Sequence, residues 1–155
     1  MTDTAAPRPY VPAFSGIYAA FDPIALPLLR VTLGLTLFPH GCQKLFGWFG
    51  GMGFEKFTDA FDKMGWHPAA FWVAVVALTE SLGGLLLAFG FLTRFAAAAV
   101  VIFMINACWA TGHRGGFFWS QGGMEYSLLI GVVALVFLIK GAGRFSVDHV
   151  LGKEL

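Results

Sequence analysis

Charge is scarce in this chain. Asp, Glu, Lys and Arg make up 12% of its 155 residues, about half the share found in ordinary soluble domains, which excludes a large soluble catalytic domain. The net charge is only +1 and there is no Lys/Arg cluster, so nucleic acid is not an expected partner. Cysteine is nearly missing: Cys42 and Cys108 stand alone, without the Cys-x-x-Cys spacing of a thiol-redox unit or zinc site. Both read as small buried hydrophobes. A Walker loop, a dinucleotide-binding glycine fingerprint and a Gly-x-Ser-x-Gly elbow are all lacking in useful context, leaving classical nucleotide or hydrolase chemistry without support. The first 23 residues are Pro-rich and lack a basic stretch followed by a clean apolar one, so a cleaved signal peptide is not expected.

What the chain has is apolar surface. Hydrophobic residues reach 57%, and at about 20 apolar residues per crossing the length suits four membrane spans with short connections. The first span reads as Ile24 to about Phe46, with Pro27 near its start and Pro39 as a kink point. The second runs from Pro68 to about Phe89, the third from about Phe95 to Thr111, and the fourth from about Gly122 to Ile139. Gly90, Thr93 and Arg94 make a very short turn, and Gly112 to Gly116 a glycine-rich one. Lys140 and Gly141 suit a helix C-terminus. Short connections force antiparallel neighbours. The one long connection, Gly47 to His67, carries Phe54, Phe57, Phe61 and Met64 at helical spacing, with Glu55, Lys56, Asp59, Asp62 and Lys63 on other faces. The expected fold is therefore all-α: an integral membrane four-helix bundle with a short amphipathic helix between the first and second spans.

Four crossings return both termini to one side. That side holds Arg8, Arg30, Arg94, Lys140, Arg144 and Lys153, against Lys44, Lys56, Lys63 and Arg114 on the other. The excess of basic residues favours cytoplasmic termini in a plasma (inner) membrane. Trp48, Trp66, Trp72, Trp109 and Trp119 gather near the opposite boundary as an interfacial belt.

Within the apolar run Phe71 to Phe91, Glu80 is the single charge. A carboxylate at mid-membrane depth costs roughly 2.5–3.5 kcal/mol on insertion scales, so a chain that keeps one pairs it or uses it. Helical phase places Arg30, Gly34, Leu37, Gly41 and Lys44 on one stripe of the first span, and Glu80, Gly83, Gly84 and Leu87 on one face of the second. It groups Asn106, Trp109, Ala110 and His113 on the third, and Gln121, Glu125 and Leu129 on the fourth. The candidate polar pocket is then Glu80, Lys44, His40, Asn106, His113, Glu125 and Gln121, with Lys44 pairing Glu80 or Glu125. Two roles remain open. Such a network holds helices together, or it handles protons for a redox-active lipid such as a quinone. A metal is not expected, because no local His/Cys ligand spacing supports one. A disulfide between Cys42 and Cys108 is not expected either, since both lie off the inward stripes.

Several motifs resemble the DoxX family of small prokaryotic four-helix membrane proteins. They are Leu29, Arg30, Gly34, His40, Gly41, Gln43, Lys44, Leu45, Phe46 and Gly47; then Glu80 to Gly84 with Gly90 to Arg94; then Gly141 to Asp148, including Arg144 and Asp148. The similarity covers residues 24 to 151, leaving tails at 1–23 and 152–155. It implies an inner-membrane protein whose relatives are described as the small subunit of a quinone-linked oxidoreductase or as an accessory of redox-stress complexes. The expected function is a subunit or accessory of a membrane redox system, at most one part of an enzyme. The alternative is a structural or assembly subunit without its own catalysis. In either case the bilayer is a partner, together with a second protein subunit or further copies of the chain.

Overall fold

The computed structural model describes residues 9–154, and within them the chain is entirely helical, turn or loop. Arg8, one of the basic residues of the terminal side, lies outside the described residues, as do the other residues of 1–8 in the segment 1–23 read as a tail. Six α-helices follow in order: α1 (Ser15–Leu45), α2 (Gly53–Lys63), α3 (Ala69–Phe89), α4 (Thr93–Gly115), α5 (Glu125–Lys140) and α6 (Val147–Leu151).

Helix α1 is longer than its apolar pattern suggested. Its 31 residues extend about 46 Å at 1.5 Å per residue, starting inside the segment read as a tail and passing through Pro23, Pro27 and Pro39. The half before Arg30 is almost wholly exposed, whereas Arg30, Leu33, Gly34, Leu37, Gly41 and Cys42 are buried. The expected stripe is thus the packed one. Cys42 joins it because α2 and the turn Trp48–Gly50 also pack on that end of α1.

Helix α3 lies antiparallel on α1: Gly34 meets Gly84 and Ala88, and seven residues on, Gly41 meets Ser81 and Ala77. Glycine lets two backbones approach until dispersion contacts form along their length, which is the main attraction between helices where lipid removes the hydrophobic drive. Beyond this seam the core is apolar, with Leu37, Leu87, Val100, Ile130 and Phe137 at its centre.

Helix α4 continues through Gly112, His113, Arg114 and Gly115, which were expected to form a turn. Packing overrides the low helix propensity of glycine here: Met124 Sδ fits over Gly112, and the Gln121–Gly122 backbone crosses against Gly115. The chain then spends Gly116–Met124 in a loop, so α5 starts three residues later than expected. The helical stretches Pro12–Leu45, Ala69–Phe89 and Thr93–Gly115 are long and apolar enough to cross a membrane. With 16 residues, about 24 Å, α5 packs along α4 as the fourth member of the bundle. Packing runs α1 on α3, α3 on α4 and α4 on α5, while α1 and α5 scarcely touch. One seam of the bundle is therefore loosely closed.

The amphipathic reading of α2 holds except at Met64, which caps its C-terminus and is exposed. Phe54, Phe57 and Phe61 are half-buried against α3 and α1, and Glu55, Lys56 and Asp59 are exposed.

Candidate functional site

Glu80 sits halfway along α3 and is 5% exposed. Lys44 lies in the last turn of α1, where a cation suits the negative end of the helix dipole. Its side chain folds back toward the bundle centre. Lys44 Nζ donates to Glu80 Oε2 at 2.5 Å and to the His40 carbonyl at 3.3 Å, and the Phe57 ring of α2 covers it at 5.4 Å from its centroid. Two opposite charges withdrawn from water attract strongly in that medium, and removing either would leave the other without compensation. Of the two partners open to Lys44 on sequence grounds, Glu80 is the one it takes.

Beside this pair is a cavity of about 140 Å³. Glu80 of α3 and His40 and Leu37 of α1 line one side; Met104 of α4 and Tyr126 and Ser127 of α5 line the other. The His40 and Tyr126 rings stand 6.2 Å apart across it. Tyr126 was not among the residues singled out from sequence. The buried face of α5 carries Ile130, Ala134 and Phe137, and Tyr126 precedes Ile130 by one turn. A stripe begun at Phe137 rather than at Glu125 would have found it, because the two choices differ by one residue, or about 100°.

Four expected pocket residues lie elsewhere. Asn106 is exposed and its amide donates to the Ile102 carbonyl at 2.8 Å; the buried face of α4 is Ala96, Ala97, Val100 and Met104, and two residues beyond Met104 is about 200° round the helix. His113 is exposed too, with Nδ1 2.8 Å from the Trp109 carbonyl, beside a separate surface hollow of about 480 Å³ next to Cys108 and Met124. Glu125 accepts from the Trp119 N–H at 3.1 Å. Gln121 is exposed in the turn Trp119–Gln121. Asn106, His113 and Glu125 each make a hydrogen bond within a turn or loop of their own, and none bonds to a partner helix's side chain.

A second polar centre occupies the other end of the bundle. Arg30, 2% exposed, donates to the carbonyls of Ala142 at 2.5 Å and Phe145 at 2.6 Å. Asp148 accepts the backbone N–H groups of Leu92 and Thr93 at 2.8 and 3.0 Å, which are orphan donors at the start of α4. Arg94 donates to the carbonyls of Leu138 and Ile139 and pairs with Glu154 at 3.2 Å, so Glu154, in the segment read as a C-terminal tail, folds back onto α4. Arg144 is exposed. Gly34, Gly41 and Gly84 are close-packing positions, whereas Gly83 is buried beside open space.

The DoxX family profile matches residues 25–113, a stretch that holds Arg30, Gly34, Lys44, Glu80, Gly84 and Arg94 on three packed helices. The chain belongs to the DoxX family. An uncharacterized membrane protein of Mycobacterium tuberculosis is 30% identical over 92% of this chain and 91% of its own. An uncharacterized protein of Haemophilus influenzae is 29% identical over 84% and 85%. A Bacillus subtilis protein, CatD, named provisionally as an oxidoreductase, is 27% identical over 78% and 82%. No solved structure matches significantly. The DoxX match spans Lys44 and Glu80 and ends before Tyr126 and Asp148.

Proposed function

We propose that this DoxX protein is a membrane subunit or accessory of a quinone-linked redox system, and that the cavity beside Glu80 receives the quinone head group. The observation that carries this reading is a buried, paired carboxylate opening onto a ring-sized hollow. A cavity of about 150 Å³ accepts benzene, so 140 Å³ suits one six-membered ring and leaves an isoprenoid tail outside. Quinone supplies two-electron, two-proton chemistry when bound. Lys44 orients the Glu80 carboxylate, His40 and Tyr126 flank the ring position, and Glu80 accepts or returns a proton there. A partner protein supplies or takes the electrons. The name of the Bacillus relative supports a redox setting, and the basic residues Arg30, Arg94, Lys140, Arg144 and Lys153 support inner-membrane placement with cytoplasmic termini.

The test is titration of detergent-purified protein with a short-tailed quinone analogue. Glu80→Gln should weaken binding at least about tenfold with helicity unchanged; equal affinity in a folded variant removes Glu80 from the site. Because Lys44 and Glu80 also satisfy each other, an assembly subunit is the second reading. It is favoured if the wild-type protein binds no analogue while Lys44→Met and Glu80→Gln both lower its melting temperature.

A further inference from the structure

Most of the wall of the cavity beside Glu80 is buried or half-buried, and Tyr126 is its one exposed lining residue. At the Glu80 wall the carboxylate is held by Lys44, over which Phe57 of α2 stands, and the Lys44 and Glu80 side chains are 14% and 7% exposed. Toward the bundle centre the cavity ends on Leu37, Met104 and Ile130, at 1%, 5% and 6%. Between α1 and α5, which scarcely touch, His40, half-buried, faces Tyr126, 43% exposed. The surface beside that gap is apolar, since Leu129, one turn beyond Tyr126, is 61% exposed. At about 140 Å³ the hollow suits one ring, so a longer ligand extends out past Tyr126, the exposed part of its wall.

We infer that the cavity is entered sideways from the bilayer, through the α1–α5 seam, by an amphiphile with an oxygen-bearing ring head and an apolar tail, and that the Tyr126 hydroxyl at the mouth hydrogen-bonds that head group. A phenol serves both oxidation states of such a ring, because it donates to a carbonyl and accepts from a hydroxyl. The identity of the ligand rests on the proposed function; the route does not.

The route is tested with the full chain in lipid vesicles, carrying Cys108→Ala and a bimane fluorophore on Ser127→Cys; Cys42 is 1% exposed and stays unlabelled. Ala107→Cys, on the α4 wall, is the second probe position in case the first perturbs folding by circular dichroism. Acyl-chain-brominated lipids should quench the probe severalfold more than aqueous iodide, and Tyr126→Trp, which fills the mouth, should reduce that quenching. Stronger quenching by iodide, or quenching by neither, overturns lateral entry. Tyr126→Phe should weaken quinone-analogue binding severalfold in protein of unchanged helicity, and unchanged affinity overturns the Tyr126 role. Bromolipid quenching in a protein that binds no quinone analogue would keep the route and discard the quinone, whereas iodide quenching with analogue binding intact would do the reverse.

Discussion

Gly34 of α1 and Gly84 of α3 face each other so closely that a Cβ on either would strike the other's carbonyl oxygen. One turn before Gly84 on α3 is Glu80, the acceptor of Lys44. The glycine contact therefore sets the helix separation that the Lys44–Glu80 bridge spans, and links packing to the candidate site.

Two adjacent glycines on α3 should respond oppositely to alanine. At Gly83 the nearest atom to an added Cβ is the Leu78 carbonyl oxygen, 4.0 Å away, so Gly83→Ala should leave stability unchanged or raise it by about 0.5–1 kcal/mol through helix propensity. Gly84→Ala should lower the melting temperature in detergent by several degrees, since it pushes against α1. Equal melting temperatures for the two variants would contradict the close α1–α3 approach.

Removing Lys44 leaves Glu80 buried without a countercharge. Lys44→Met is expected to destabilise by about 3–5 kcal/mol, as for other broken buried pairs, and Lys44→Met with Glu80→Gln by less than the sum of the single changes. A double-mutant cycle on chemical denaturation should give a coupling of more than about 1 kcal/mol. Additive single effects would show that the pair does not act as one unit.

The Arg30 contacts should hold the C-terminal segment in place. Lysine offers a compact ammonium instead of a planar fork, so Arg30→Lys is expected to lose one of the Ala142 and Phe145 contacts and to expose residues 141–151 to protease several times faster. Asp148→Ala should do the same by uncapping the start of α4. Digestion at the wild-type rate in both would show that other contacts secure this end.

Residues placed outside the cavity serve as controls. Asn106→Leu and Glu125→Gln should change quinone-analogue affinity by less than about twofold, while His40→Leu, at the cavity wall, should weaken it by about tenfold. A large effect of Asn106→Leu would mean that α4 turns a different face inward in the bilayer.

The position of each inward stripe on α1 and α3 was legible because both helices carry glycines and charges at helical spacing, and neither type is comfortable against lipid. On α4 and α5 that reasoning failed. Asn106, His113 and Glu125 look like interior polar groups, but each makes a hydrogen bond within its own turn or loop and so tolerates an outward position. Alanine, valine and methionine fill the true buried face of α4, and apolar residues are as acceptable to lipid as to a core, so they carry no mark of direction.

By itself the sequence determined the membrane class, the amphipathic α2, the α1 and α3 faces and the cost of leaving Glu80 alone, since these depend on apolar run length, helical period and the solvation of charge. Only the tertiary structure decided that Lys44 reaches Glu80 rather than Glu125, that Tyr126 replaces Asn106 at the cavity, and that α1 and α5 leave a thin seam. Helical period fixes angles within one helix. The rotation and depth of one helix against another follow from side-chain interlocking across distant parts of the chain, which no single segment encodes.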